Sequence, residues 1–426
     1  MNGLLPFLLL PILTAAHTTR TGVPKLWNYT TVDKLKHELL ADYDKFTRPS
    51  HHTNTTVVTI DLNLKHIDLD EMSSILTVYA WAKMLWNDDK LKWNASDYEN
   101  LETLHLADHE VWQPDITLYN SAQGSEVDHY GNTHCIVQHD GQVLWVPPAE
   151  FHAFCQIDLH YWPFDTQTCT LMLGSWTYDG EQIDLQLDDG DSVLEMMNNN
   201  SQWEIMGVQK QRNLKYYNCC PEAYIDVTYT LQLRRRSEAY RTVVITPATV
   251  VVLLTLATFL LPSHAGEKII LNGLTAVIIC ILLLSFSERL PEMAYRPPLI
   301  ILFYGSCLTM VALALIESVV VIRISKNTCA HPLPWFIKQA LSGWLGSVLL
   351  LGPLPSMQPT NLSSIGEEMR DHAEDQHDQQ HIIGRRTSSP VNLSHRDWLM
   401  FASAIDRAFF IIYLFVFLIL FISFHV

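Results

Sequence analysis

Apolar and polar residues alternate with a period of two from Val58, with Val58, Ile60, Leu62 and Leu64 set against Thr59, Asp61, Asn63 and Lys65. Such alternation places one face of a strand in a core and the other in water. Leu76, Val78, Ala80, Ala82 and Met84 repeat the pattern. Similar short runs recur to about Leu233, separated by Asp, Asn, Gly and Pro clusters, and together they predict a β-sandwich of the immunoglobulin-like kind. One helical period precedes them: in Thr31–Leu40, Thr31 stands where a cap is needed and Val32, Leu35, Leu39 and Leu40 fall on one face.

After residue 241 the pattern changes to long apolar runs at 243–261, 269–286, 299–322 and 408–424. Each is near the length of about 20 residues that a helix needs to cross hydrocarbon. They predict a four-helix transmembrane bundle, with Pro247 in the first run, Asn272 in the second and Glu317 near the end of the third. Between the third and fourth runs, Trp335–Leu351 is apolar enough for a fifth span, but Lys338 and Gln339 interrupt it and favour an interfacial helix. The Asp371–His381 tract has no core-forming pattern and predicts a disordered loop.

The first 16 residues combine a short apolar run with small residues before His17, the form of a secretory signal, though no basic residue precedes the run. The expected organisation is therefore a signal at 1–16, an extracellular sandwich at 17–241, three spans within 242–322, a cytoplasmic segment at 323–397 and a fourth span within 398–426. Asn-x-Ser/Thr triplets at Asn28, Asn54, Asn94 and Asn199 fit glycosylation of an exported domain. Arg234, Arg235, Arg236 and Arg241 then lie outside, against the positive-inside tendency, so the signal sets the orientation. A multi-pass plasma-membrane protein with an extracellular amino terminus is expected.

Charge narrows the function. The chain carries 45 Asp and Glu against 28 Lys and Arg, a formal charge of -17, whereas nucleic-acid binding needs a basic face; no nucleic-acid partner is expected. Phosphate-loop, nucleophile-elbow and zinc-protease motifs are missing from the sequence, so no enzyme, cofactor or metal is expected. His105 and His109 are four apart, but in a strand-rich region that spacing does not converge on a metal.

The cysteines say more. Cys155 and Cys169 enclose a short loop whose closure by a disulfide would contribute about 3 kcal/mol in the chain-entropy account. At its centre Trp162, Pro163, Phe164 and Asp165 form an apolar tip that requires something apolar to touch. Cys219 and Cys220 are adjacent, and neighbours can bridge only through a strained small ring, an arrangement common at functional sites. Tyr217 and Tyr224 flank them and make that hairpin an aromatic flap.

These features, with Trp112–Asn120, Gly174–Gly180, Arg234-Arg-Arg and Gly266-Glu-Lys, resemble the Cys-loop receptors over almost the whole chain, and in particular α-type nicotinic acetylcholine receptor subunits. The resemblance implies a pentamer with other receptor subunits, at a postsynaptic membrane. It implies gating by acetylcholine or a related quaternary or tertiary amine. Such a cation is best held by the faces of several aromatic rings, at about 0.5–2 kcal/mol per desolvated contact. The matching principal-face residues are Tyr119, Trp176, Tyr217, Cys219, Cys220 and Tyr224, and Trp81 matches the complementary face.

The same resemblance assigns the pore to Ile270, Leu274, Val277, Ile281 and Leu284. Glu267 and Glu288 bound that stripe as acidic rings for permeant cations, with Arg289 weakening the outer one. The Pro-Ala insertion of anion-selective relatives is missing before Glu267. The Trp162–Asp165 tip is the element that would touch the Leu290–Pro298 linker and couple the two domains. One departure matters: relatives usually carry Ser or Thr where Ile270 and Leu274 stand here. A wholly apolar stripe resists wetting, which leaves an accessory, poorly conducting subunit as the alternative.

Overall fold

A computed structural model describes residues 28–124, 129–188, 190, 192–198, 200, 202–218, 220–290, 296–326, 332–350 and 390–425. The expected signal, the Asp371–His381 tract, Asn199 and Cys219 lie outside the described residues. The first helix, α1 (Thr31–Leu40), is capped by Thr30 rather than by the expected Thr31, because Thr30 and Asp33 close a reciprocal capping box. Of its expected apolar face only Leu35 is fully buried, and Val32 is exposed.

The strands are β1 (Thr56–Asp70), β2 (Ile75–Asn87), β3 (Thr103–Leu106), β4 (Ile116–Leu118), β5 (Cys135–Gln138), β6 (Gln142–Trp145), β7 (Pro148–Phe154), β8 (Thr166–Ser175), β9 (Ile183–Leu187), β10 (Trp203–Tyr216) and β11 (Ala223–Arg235). One sheet runs β3-β5-β6-β2-β1-β9, with β7 also paired to β2; the other runs β10-β11-β8-β4. Both sheets press the alternating apolar residues into one core that includes Ile60, Leu62, Val78, Met84, Leu171 and Val227. The predicted alternation in β1 holds to Leu64. There the register slips between Leu64 and His66, and the inward residues become Ile67 and Leu69.

Among the described residues four helices are long and apolar enough to cross a membrane: α2 (Glu238–Thr258), α3 (Glu267–Ser287), α4 (Leu299–Ser325) and, within α7 (Pro390–His425), the stretch His395–Ser423. Asn272 is tolerated within α3 because it accepts from Thr258 of α2 at 3.1 Å and donates to Ser318 of α4 at 3.2 Å. Between α4 and α7, the helices α5 (Trp335–Ser342) and α6 (Trp344–Val348) are too short to span. Lys338 of α5 pairs with Asp397 of α7 at 2.8 Å.

Sandwich and bundle meet through the Cys155–Cys169 loop, which the structure closes by a disulfide. Leu159 and Trp162 join the apolar cluster of the bundle, the indole lying 5.5 Å from Tyr240 and 5.9 Å from Phe286. The next segment turns back into the sandwich. Asp165 is buried against Arg235 at the end of β11.

Candidate functional site

Tyr119 follows β4 and lies across the end of β8. Its hydroxyl donates to the Ser175 carbonyl at 2.5 Å, and its ring meets Trp176 edge-on at 6.3 Å. Gly174 permits that approach, since a Cβ there would stand 2.5 Å from the Tyr119 hydroxyl. The turn that presents Trp176 is fixed by Asp115, whose carboxylate accepts from Ser175 Oγ at 2.5 Å and from the Thr177 amide at 2.8 Å. Trp176 itself is 71% exposed. A large aromatic held open to solvent by a rigid turn is a contact surface rather than core.

The β10–β11 hairpin brings a second aromatic pair, Tyr217 and Tyr224, with ring centroids 5.6 Å apart. The Tyr224 hydroxyl lies 4.0 Å from Cys220 Sγ. Cys220 is bonded to no described cysteine, and the expected vicinal bridge involves Cys219, outside the described residues. Burial raises the Tyr119 phenol pKa, and the neighbouring Tyr217, Asp226, Asp115 and Tyr224 add to the shift. The phenol therefore stays neutral at physiological pH and offers a ring face and a hydroxyl without charge.

One feature of this hairpin escaped the motif reading. Asp226 of β11 is buried and accepts from Asn213 at 2.8 Å, while Lys215 of β10 pairs with it at 2.8 Å. The ion pair joins the two arms just below Tyr217 and Tyr224. Its sequence signal, a basic and an acidic residue on opposite arms of one hairpin, requires the register to be known.

Trp81 is on the other sheet, on the outward face of β2 as its parity predicts, with Lys65 Nζ 4.8 Å above its ring. The structure thus groups Tyr119 with Trp176 and Tyr217 with Tyr224, and keeps Trp81 apart on a separate face. In the bundle, Ile270, Leu274, Val277, Ile281 and Leu284 share one exposed stripe of α3, with Glu267 and Glu288 exposed at its ends. The opposite stripe, Lys268, Asn272, Thr275, Ile279 and Phe286, is buried. Asn28, Asn54 and Asn94 are exposed. His105 faces outward on β3, and His109 lies 3.2 Å from Asp108.

The coupling tip is packed against the bundle. Trp162 and Pro163 are buried and only Phe164 is exposed, because the loop rests on the bundle instead of projecting freely. Among the described residues Asp165 contacts Arg235 and Gln167, while Trp162 shares an apolar cluster with Leu290 at the start of the linker. The linker side is also met by two residues that the motifs did not single out. Asp158 accepts from Arg296 at 2.9 Å, and the His160 carbonyl accepts from the Leu299 amide at 2.9 Å.

Comparison with known proteins agrees with this division. Residues 32–237 match the neurotransmitter-gated ion-channel ligand binding domain, and residues 244–393 match the neurotransmitter-gated ion-channel transmembrane region. The chain belongs to the neurotransmitter-gated ion-channel family. It is 32% identical over 400 residues to the neuronal acetylcholine receptor subunit alpha-10 of Rattus norvegicus, covering 88% of this chain and 89% of that subunit. It is 31% identical over 382 residues to the acetylcholine receptor subunit alpha-type acr-16 of Caenorhabditis elegans, covering 86% and 75%. With the neuronal acetylcholine receptor subunit alpha-6 of Homo sapiens it shares 32% over 340 residues, covering 79% and 68%. The chain is thus a multi-pass receptor-type channel protein and not an enzyme.

Proposed function

We propose that this chain is an α-type nicotinic-like subunit of a pentameric cation channel and supplies the principal face of an agonist site for acetylcholine or a related amine. The observation that carries the proposal is the pairing of Tyr119 with Trp176 and of Tyr217 with Tyr224 beside Cys220. Aromatic rings with neutral hydroxyls suit a quaternary ammonium, which has no proton to donate and is attracted to ring faces. Trp81, outward on the other sheet, serves as complementary wall for a neighbouring subunit's agonist. Cys219 and Cys220 form the flap's vicinal bridge, and Asn28, Asn54, Asn94 and Asn199 carry glycans.

In this reading the exposed stripe of α3 lines the pore and Glu267 and Glu288 favour cations. Current elicited by acetylcholine should reverse near the cation equilibrium potentials when the chain is co-expressed with a conducting nicotinic subunit. An anion-following reversal potential would refute the selectivity. A postsynaptic plasma membrane is the proposed location.

The uninterrupted apolar stripe favours a second reading, an accessory subunit that assembles but conducts poorly alone. It predicts ligand binding with little current from this chain by itself. Val277→Ser wets the middle of the stripe, and is expected to raise current or spontaneous opening at least several-fold. An unchanged current at equal surface density would show that this stripe does not set the barrier.

A further inference from the structure

Three ionisable side chains from three helices meet at the end of the bundle away from the sandwich. Lys268 of α3, Glu317 of α4 and Asp406 of α7 are 0%, 7% and 2% exposed. The Lys268 ammonium donates to Asp406 Oδ1. Asp406 Oδ2 and both Glu317 carboxyl oxygens have no donor among the described residues, and Asp406 and Lys268 are the charged groups that act on Glu317. Ionisable groups within a membrane domain are costly, and their retention points to function.

Charge counting decides the state of the cluster. Two carboxylates and one ammonium would leave a net negative charge in a medium that cannot solvate it. Two ionised carboxylates are also acceptors only, so facing oxygens repel unless one of them carries a proton. Among the described residues no other charge is paired with the group. Arg407 turns to the carbonyls of Leu349 and Leu350, and Arg323 is exposed on α4. Glu267, His264 and Lys326 are exposed, and the buried or bonded polar groups beside the cluster are neutral: Ser263 joined to Ser403 at 2.9 Å, Thr258, Asn272 and Ser318. Tyr413 of α7 is engaged with the Met310 carbonyl at 2.8 Å.

We propose that Glu317 and Asp406 form a proton-binding site, sharing one proton so that the cluster with Lys268 is neutral. The bound proton supplies the donor that the facing carboxyls lack and closes a contact running from α3 through α7 to α4. Because Lys268 follows Glu267 at the start of α3, the site fixes that end of the helix to its two neighbours. Loss of the proton leaves like charges facing each other and loosens that attachment. The inference does not depend on which ligand the sandwich binds.

Infrared spectroscopy of the full chain reconstituted in lipid bilayers tests the proposal directly. Wild type at neutral pH should show the C=O stretch of one protonated carboxyl that is absent from Glu317→Gln. A difference spectrum containing only ionised-carboxylate bands would overturn it. Glu317→Gln retains a neutral donor of the same shape, so it should fold and reach the surface as wild type does. If Glu317→Gln misfolds, Asp406→Asn takes its place in the subtraction, and a wild-type spectrum without a protonated-carboxyl band refutes the shared proton.

Discussion

Replacing Arg235 with alanine is expected to destabilise the sandwich by about 3–5 kcal/mol, the usual result of removing one partner from a buried ion pair. The guanidinium is fully buried at the end of β11. It donates to Asp165 through Nε at 2.7 Å and Nη2 at 3.1 Å, and to Glu71 through Nη1 at 2.5 Å. It also lies 4.3 Å from the Trp203 ring, so truncation removes packing as well as charge. Burial alone would lower the arginine pKa; hydrogen bonding and charge from Asp165, with Glu71, reverse that and raise it. Alanine leaves Asp165, itself 3% exposed, as an unpaired buried carboxylate. Thermal unfolding of the solubilised protein, with surface expression as a second readout, measures the loss. Arg235→Lys should recover only part of it, because an ammonium cannot reproduce the two-pronged contact with Asp165. Wild-type stability in Arg235→Ala would contradict the assignment of this pair as the lock between the β1–β2 turn, the Cys155–Cys169 loop and β11.

Trp176→Ala should separate binding from stability in the opposite sense. The side chain is largely exposed, so its removal should change stability by no more than about 0.5 kcal/mol. Agonist affinity should fall by about 1–3 kcal/mol, roughly 5- to 150-fold, if the indole is the chief wall of a cation cage. Trp176→Phe keeps a weaker aromatic face and should lose less. Equal affinity in wild type and Trp176→Ala, at equal surface expression, would remove Trp176 from the site.

Much of this architecture is written in local patterns. The period of two in β1 and β2, the outward parity of Trp81 and the lengths of the four spans all follow from which residues avoid water. The slip at Lys65 is invisible to that logic, because a bulge depends on how two strands pair and not on either one alone. Trp162 illustrates a second limit. An apolar tip in a loop demands a partner, but burial on Tyr240 and Phe286 depends on two elements far along the chain. The same holds for Asp158 and His160, which are unremarkable in sequence and meet Arg296 and Leu299 only through the tertiary arrangement. Glu317 was visible as a charge in an apolar run, whereas its neighbours Lys268 and Asp406 lie 49 and 89 residues away in the sequence. The aromatic residues of the site were legible through their motifs, and Lys215–Asp226 was not, because its members become neighbours only once the hairpin register is set.

In the proposed site the β10–β11 flap and the Tyr119–Trp176 pair together bind a quaternary ammonium. Saturation binding of a labelled agonist of that class, to membranes expressing the chain with and without a complementary nicotinic subunit, tests it most directly before and after mild reduction. The expected result is saturable binding that weakens on reduction and weakens roughly 5- to 150-fold in Trp176→Ala. Folded protein at the surface that binds no agonist in either combination, or binding indifferent to both reduction and Trp176→Ala, would contradict it.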